Sequence, residues 1–132
     1  MTKQMEVYKC GQEMLIEVIK GTCCCSESCH NLSCCGEPME LQKPNTVDAA
    51  KEKHVPVLKA QDCGVLIKVG ANPHPMTKEH SILWVEVING DYVNRKYLHP
   101  GDAPEAAFYV ENQPGLIVRA YCNLHGLWES RI

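Results

Sequence analysis

The second half of the chain is a series of short apolar runs separated by turn residues, and this spacing constrains the fold most. The runs have the length of β-strands and cover residues 55–58, 64–69, 82–88, 92–98, 106–110 and 116–121. Asn89-Gly90 predicts a hairpin with a type I′ turn, and Asn112-Gln113-Pro114-Gly115 marks another turn. Six or seven short strands in about ninety residues predict an all-β fold, an immunoglobulin-like β-sandwich.

The first third of the chain is rich in cysteine instead. Seven of the nine cysteines fall between Cys10 and Cys35, and only Cys63 and Cys122 follow. Two short strands, 5–9 and 14–19, are expected there with a turn at Gly11. So few apolar residues cannot stabilise about forty residues alone, and a bound metal would supply the missing folding free energy. We therefore predict two domains, a cysteine-rich module over residues 1–42 and a β-sandwich over residues 43–132.

Composition limits the classes of function. The net charge of -3 argues against a nucleic-acid-binding protein, which is usually basic. No apolar run approaches the length of a membrane span, and Met1-Thr2-Lys3-Gln4 does not open a signal peptide, so we expect no membrane contact and a cytoplasmic location. Cysteines in that compartment are expected to be metal ligands or redox groups, not a disulfide framework.

The metal of the cysteine-rich module stays open on residue grounds. Four thiolates at wide spacing could hold zinc, a single iron or an iron–sulfur cluster. A zinc ribbon needs two Cys-x-x-Cys pairs, and neither occurs, since Cys10 is followed three residues later by Glu13. The dense run Cys23-Cys24-Cys25, with Cys29 after it, favours a loop wrapped around an iron–sulfur cluster.

A second candidate metal site lies in the β region. Cys122 and His125 stand three residues apart at the end of the last apolar run. Prolines adjoin or closely follow two further histidines and restrict the backbone there, so that those side chains are displayed rigidly. Imidazole and thiolate are ligands for a transition metal. The chain thus offers five candidate ligands, namely His54, His74, His80, Cys122 and His125.

This donor set favours iron. A structural zinc site prefers four ligands, and blue copper uses two histidines with one cysteine. Covalent haem attachment needs Cys-x-x-Cys-His, which is absent from the sequence. Imidazoles suit ferrous iron, and a thiolate opposite an open position pushes electron density towards whatever binds there. We therefore expect a mononuclear non-haem iron.

The same region resembles a known family. The residues that carry the resemblance are Glu52-Lys53-His54-Val55-Pro56-Val57, Lys68-Val69-Gly70, Pro73-His74-Pro75-Met76, His80, Pro100-Gly101-Asp102-Ala103-Pro104-Glu105 and Cys122-Asn123-Leu124-His125-Gly126. Over residues 33 to 132 the chain is similar to the desulfoferrodoxin and neelaredoxin family, the superoxide reductases. The resemblance implies that the four histidines are equatorial ligands of the iron and that Cys122 is its axial thiolate. It also implies a mobile carboxylate at Glu52 and a catalytic lysine at Lys53.

The resemblance is less regular in the cysteine-rich module. Cys10, Cys34 and Cys35 match three of the four cysteines of the desulforedoxin pattern, and Glu13 stands at the fourth. The chain looks most like the methanoferrodoxin branch, which implies an iron–sulfur cluster, expected to be 4Fe–4S, beside the catalytic iron. The candidate cluster ligands are Cys10, Cys29, Cys34 and Cys35, with a single iron or zinc as the alternative.

The implied activity is one-electron reduction of superoxide to hydrogen peroxide, without dismutation to oxygen. A small rubredoxin- or ferredoxin-like protein is the expected electron donor, and a homodimer is the expected assembly. Two alternatives belong to other classes: an iron electron-transfer protein without a substrate, and a metal-storage or sensing module built on the cysteines. An open coordination position and Lys53 favour the enzyme.

Residues outside these motifs have simpler expected roles. Cys63 is expected to be a small buried strand residue, Trp84 and Trp128 core or interface residues, and His30 and His99 surface residues.

Overall fold

The structure is a computed structural model that describes residues 5–11, 14–19, 32–46 and 54–132. The regular elements of this part of the chain are twelve β-strands. Among the described residues there is no helix long and apolar enough to cross a membrane. The chain forms two compact units, Met1–Lys43 and Pro44–Ile132. The predicted all-β fold class is confirmed.

The first unit contains five short strands. They are β1 (Val7–Cys10), β2 (Met14–Glu17), β3 (Ser33–Cys34), β4 (Glu37–Pro38) and β5 (Glu40–Gln42). Strand β1 is the centre of an antiparallel sheet with the order β2-β1-β5, and β3 pairs with β4. The sequence predicted β1, β2 and the turn at Gly11, whose φ is +55°. It missed β3 to β5, because strands of two or three residues are too short to show an alternating pattern.

Tyr8 is the best-buried aromatic residue of this small sheet. It lies opposite Ile16 on β2 and Leu41 on β5. Its hydroxyl donates a hydrogen bond of 2.9 Å to Glu6. Burial, followed by this hydrogen bond and the charge of Glu6, raises the pKa of Tyr8 above its ordinary value.

Cys10 and Cys34 are joined by a disulfide, with their Cα atoms 6.1 Å apart. Lys9 pairs with Glu40 and the Met39 amide donates to the Leu32 carbonyl, so the β3–β4 hairpin folds back beside the end of β1. The sequence predicted thiolates at both positions, and the structure has them bonded instead. A bonded pair offers no thiolate to a metal, so any ligand role of this pair belongs to its reduced form.

Of the other five cysteines of this region, the structure describes Cys35 alone. Cys35 is a free, exposed thiol. Glu13, His30 and the predicted cluster ligand Cys29 lie outside the described residues, as does the run Cys23-Cys24-Cys25.

The second unit is the predicted β-sandwich. Its strands are β6 (Pro56–Gln61), β7 (Gly64–Val69), β8 (Ile82–Asn89), β9 (Tyr92–Tyr97), β10 (Glu105–Phe108), β11 (Ile117–Cys122) and β12 (Gly126–Arg131). One sheet has the order β10-β7-β6 and the other β12-β11-β8-β9, with every pair antiparallel. Seven strands divided three and four match an immunoglobulin-like sandwich.

The core lies between these two sheets. Strand β7 alternates as the pleat requires, so that Val65, Ile67 and Val69 are buried while Leu66 and Lys68 lie on the other face. From the four-stranded sheet, Val87 on β8 and Val118 on β11 belong to the same apolar cluster. Trp84 and Trp128 are both buried and His99 is exposed, as predicted.

Three details differ from the sequence prediction. Strand β12 was missed, because only Leu127 and Trp128 are apolar in a strand that otherwise carries Glu129, Ser130 and Arg131. Cys63 is exposed rather than buried, because it lies in the tight turn between β6 and β7. The β8–β9 hairpin exists, but its loop is Gly90-Asp91 and only Gly90 has a positive φ, which is the pattern of a type II′ turn.

A row of alternating charges crosses the face of the four-stranded sheet that points away from this core. Register places Glu129, Arg119, Glu86 and Arg95 side by side on β12, β11, β8 and β9. The Glu86 carboxylate is fully buried and accepts hydrogen bonds from Arg119 Nε at 2.6 Å and from Arg95 Nη2 at 2.6 Å. Arg95 also lies over the Trp84 ring, 4.6 Å from its centroid. This charge row ties three of the four strands together through one carboxylate.

We expect Glu86→Ala to lower the free energy of unfolding by about 3–5 kcal/mol, because Arg119 would stay buried without its carboxylate. Glu105→Ala is the matched control, because Glu105 makes an exposed ion pair with Lys68 at 3.6 Å and should cost less than about 1 kcal/mol. Urea unfolding followed by the fluorescence of Trp84 and Trp128 measures both, since both residues belong to this unit. Equal, small losses in the two variants would show that the charge row does not stabilise the sandwich.

Candidate metal centre

Five side chains with metal-donor atoms converge at one end of the sandwich. His54 precedes β6, His74 and His80 lie in the β7–β8 connection, and Cys122 and His125 lie at the end of β11 and in the turn after it. Pro56 opens β6 opposite Val69 at the end of β7, and Cys122 lies opposite Ile82 at the start of β8. The ends of both sheets thus supply the cluster. One donor atom from each of the five residues lies within 4.8 Å of all the others.

The four imidazoles form a closed square. Neighbouring ring centroids are separated by 4.5 Å for His54–His74, 4.6 Å for His74–His80, 5.0 Å for His80–His125 and 4.7 Å for His54–His125. Neighbouring ring planes are inclined by 66–81°. The diagonal pair His54–His80 is wider, at 6.2 Å, and its planes differ by only 34°. Such a square directs four ring nitrogens towards one point.

The distances between donor atoms suit a single transition-metal ion. His54 Nε2 and His125 Nδ1 lie 3.0 Å apart, and two metal–nitrogen bonds of about 2.1 Å meeting at a right angle would put their nitrogens about 3 Å apart. Cys122 Sγ lies 3.7 Å from the same His125 nitrogen. Four imidazoles and one thiol are borderline and soft donors, which favour a transition metal over calcium or magnesium.

The ring of His74 is oriented by the carbonyl group of the residue that follows it. His74 Nδ1 lies 2.7 Å from the carbonyl oxygen of Pro75. Because a carbonyl only accepts, the proton of the neutral ring is on Nδ1, and Nε2 keeps its lone pair for a metal. The proline identified in the sequence therefore does more than stiffen the loop, because its carbonyl sets the tautomer of the ligand.

His80 is held by hydrogen bonds on both sides of its peptide. Its amide donates to Thr77 Oγ1 at 3.0 Å, and its carbonyl accepts from the Thr77 amide at 2.9 Å. The Asn123 side chain accepts from the Ser81 amide at 3.0 Å and donates to the Glu79 carbonyl at 2.9 Å. Asn123 directly follows Cys122, so it ties the cysteine and His80 together. This role of Asn123 could not be predicted from the sequence, because side-chain amide hydrogen bonds leave no periodic pattern.

Met76 anchors the loop between His74 and His80. Its thioether accepts a hydrogen bond from the Ile82 amide at 3.4 Å, and its carbonyl accepts one from the Gly101 amide at 2.9 Å. The side chain also packs against the apolar core. The loop between His74 and His80 contains no strand, and Met76 thereby fixes it to the start of β8.

A break in strand register sets which residue lies opposite Cys122. Tyr121 pairs with Trp84, but Cys122 pairs with Ile82, so Leu83 is an extra residue in β8. Bulges of this kind often re-aim side chains beside functional sites. Cys122 is fully buried on the core side, whereas Tyr121 lies on the opposite face and stacks against Trp84 with ring centroids 5.9 Å apart.

Access to the cluster differs among its members. His54, His74 and Cys122 are buried, His80 is half-buried, and His125 is exposed. The predicted catalytic residues Glu52 and Lys53 lie outside the described residues, directly before His54 in the chain. Their roles stay predictions.

A model of the desulfoferrodoxin family matches residues 46–131. Desulfoferrodoxin from Syntrophotalea carbinolica is 48% identical over 131 residues, which cover 98% of this chain and 98% of that protein. A desulfoferrodoxin homolog from Methanothermobacter thermautotrophicus is 44% identical over 129 residues, with coverages of 97% and 99%.

The fold has a solved counterpart as well. The crystal structure of the superoxide reductase from Treponema pallidum matches with a TM-score of 0.69 and 32% identity. The match covers 98% of this chain and 100% of that one, and so includes both units.

Proposed function

The chain belongs to the desulfoferrodoxin family, and on that premise we propose that it is a superoxide reductase with a mononuclear iron. One observation carries the proposal: four imidazoles and one buried thiol place their donor atoms within 4.8 Å of one another. When bound, the iron would supply one electron to superoxide, which takes up two protons and leaves as hydrogen peroxide. The five donors would hold the iron and leave it able to take up one further ligand, the substrate.

The protein's own residues prepare the site for this reaction. The four imidazoles would hold the iron, and the Pro75 carbonyl keeps the His74 lone pair available. Cys122 would supply the fifth donor, which the family resemblance makes the axial thiolate. Its burial keeps water from the sulfur, and a thiolate in a dry site donates electron density strongly to the iron.

Glu52 and Lys53 complete the proposal on sequence grounds. Lys53 adjoins His54, and ferrous iron with one thiolate and four neutral imidazoles has a formal single positive charge. A lysine beside it would strengthen the field that draws an anionic substrate towards the open position. Glu52 would occupy that position in the ferric form, after the product has left.

An electron-transfer protein without a substrate is the competing function. A pure carrier gains from complete coordination, since ligands that do not change minimise rearrangement between oxidation states. The donor set here is one short of six, which favours the enzyme. Rapid mixing of the reduced protein with superoxide separates the two. A reductase forms one peroxide for each superoxide consumed and each iron oxidised, whereas with an unreactive carrier superoxide dismutes to half as much peroxide and the iron stays reduced.

We expect Cys122→Ser to remove the thiolate-to-iron charge-transfer band of the oxidised protein and to reduce superoxide reduction sharply, because the axial sulfur is gone. Visible absorption and stopped-flow kinetics measure the two effects. Cys63→Ser is the control, because Cys63 is an exposed thiol in the β6–β7 turn and should leave both unchanged. A Cys122→Ser protein that kept its band and its rate would contradict the axial assignment.

Lys53→Ile should preserve the iron and its spectrum, because Lys53 supplies no ligand, but it should slow the reaction with superoxide. Electrostatic steering is worth a factor of about ten to a thousand in rate and weakens as salt rises. The wild-type rate should therefore fall with ionic strength more steeply than the variant's rate. Lys96→Ile, a change on the exposed face of edge strand β9, is the control. Equal rates for the two variants at low salt would remove Lys53 from the mechanism.

We also propose that residues 1–42 form a separate module in which reduced Cys10, Cys34 and Cys35, with Cys29, hold a 4Fe–4S cluster. The abundance of thiols in this short stretch supports it, and so does the position of Cys35 directly after the Cys10–Cys34 pair. Such thiolates persist in a reducing compartment, so the proposal includes a cytoplasmic location.

Joint replacement of Cys10, Cys34 and Cys35 by alanine should abolish acid-labile sulfide in anaerobically purified protein. It should leave the mononuclear iron bound in residues 43–132. Iron and sulfide analysis measures both. Two irons per chain without sulfide in the wild type would indicate a single-iron site in this module instead, and zinc alone would exclude both iron assignments.

Two partners belong to the same proposal. A small rubredoxin- or ferredoxin-like protein would re-reduce the iron, and a second copy of the chain would form a homodimer. Reduction of the oxidised protein by such a donor in stopped flow tests the first partner. Sedimentation at micromolar concentration tests the second, and a monomer there would contradict it.

A further inference from the structure

Trp128 contacts one of the candidate ligands through the face of its ring. Its indole stacks on the His54 imidazole with centroids 4.5 Å apart and an interplanar angle of 14°. The indole is 6% exposed, and its N–H has no hydrogen-bond acceptor among the described residues. The contact with His54 is therefore made by the aromatic face and not by the N–H group.

The backbone of Trp128 is held on both of its edges. On one side it pairs with Ala120 of β11. On the other, the Asn45 amide donates to the Leu127 carbonyl and the Glu129 amide donates to the Asn45 carbonyl, each at 2.9 Å. These two bonds flank Trp128, so its Cα cannot move without breaking a strand pairing. The indole is a fixed platform.

The small side chain of Ala120 leaves space for this platform. Ala120 lies directly opposite Trp128 and two residues before Cys122 in the same strand. All three side chains belong to the apolar cluster of the core. A larger residue at position 120 would displace the indole from the space beside His54. The small alanine side chain therefore leaves room for the indole.

The stacked indole adds to the ways in which the candidate ligands are held. His74 is oriented by the Pro75 carbonyl, and the peptide of His80 is clamped by Thr77 and Asn123. His54 stands at the start of its strand, and its Nε2 faces His125 Nδ1 at 3.0 Å. An aromatic face stacked on an imidazole fixes the ring plane, and its negative potential stabilises the partial positive charge that the ring gains on binding a cation.

We propose that Trp128 is a positioning residue that holds the His54 ring in the plane needed for metal binding. This inference rests on the proposed metal site but does not depend on which substrate the metal serves. It assigns to an apparent core residue a part in the affinity and spectrum of the metal centre.

The test is cobalt(II) binding to the metal-free protein, followed by the visible absorption of the complex. Trp128→Leu should weaken binding by about two- to tenfold, the range of an aromatic pair, and should change the thiolate-to-cobalt band. Trp128→Phe should bind within about twofold of the wild type, because it keeps an aromatic face and loses only an N–H that makes no hydrogen bond.

Trp84→Leu is the matched control. Trp84 is 5% exposed but lies on the opposite face of the same sheet, against Tyr121 and Arg95. This variant should lose thermal stability without any change in cobalt affinity or spectrum. A Trp128→Leu protein that folds and matches the wild type in both would overturn the inference. Failure of the wild type to bind cobalt or iron would instead overturn the proposed function.

A second measurement covers the case in which Trp128→Leu does not fold. Trp84→Phe leaves Trp128 as the sole tryptophan, and Trp128→Phe leaves Trp84 as the sole one. Cobalt should quench the fluorescence of Trp128 strongly and in proportion to occupancy, because the indole touches a ligand ring. Quenching of Trp84 should be weaker. Equal quenching in the two proteins would contradict the contact on which the inference depends.

Discussion

The convergence of four imidazoles and one thiol on a single point is the constraint on which the rest of the sandwich depends. Three of the five donor residues are buried and a fourth is half-buried, and a single cation could be bound by all five donors at once. The surrounding loops are built accordingly. The Pro75 carbonyl, the Asn123 amide and the Met76 thioether hold the chain around the donors. Metal binding and the order of these loops are thus expected to be coupled.

Much of the sandwich could be predicted because its strands are short apolar runs bounded by turn residues. The run Gly64–Val69 predicted β7 in this way, whereas the burial of Val65, Ile67 and Val69 on one face comes from the structure. Glu86 shows the limit of this reading. Its place among valines predicts a solvent-facing residue, and only the register of β8 with its neighbours reveals two arginines that bury it. Contacts between residues distant in sequence leave no local period.

The candidate site and the first unit show the same division. The five donor residues could be found from residue type and from proline neighbours, whereas their supports could not. Asn123 and Trp128 are ordinary residues in the sequence, and their meaning comes from a hydrogen-bond clamp and a ring stack formed across the fold. In the first unit the strands are too short for periodicity, and cysteine spacing alone cannot distinguish a bonded pair from a pair of thiolates.

The charge row on the outer face also acts as a gauge of strand alignment. A slip of one residue between β8 and β11 would turn the Glu86 carboxylate into the apolar interior and separate it from Arg119, a strongly unfavourable arrangement. The same two strands place Cys122 beside Ile82, just after His80. The charge row on one face therefore helps to hold these two strands in the alignment that, beyond the extra residue Leu83, brings Cys122 beside Ile82 on the other face. Arginines that are not among the five donor residues thus support the geometry of the candidate metal centre.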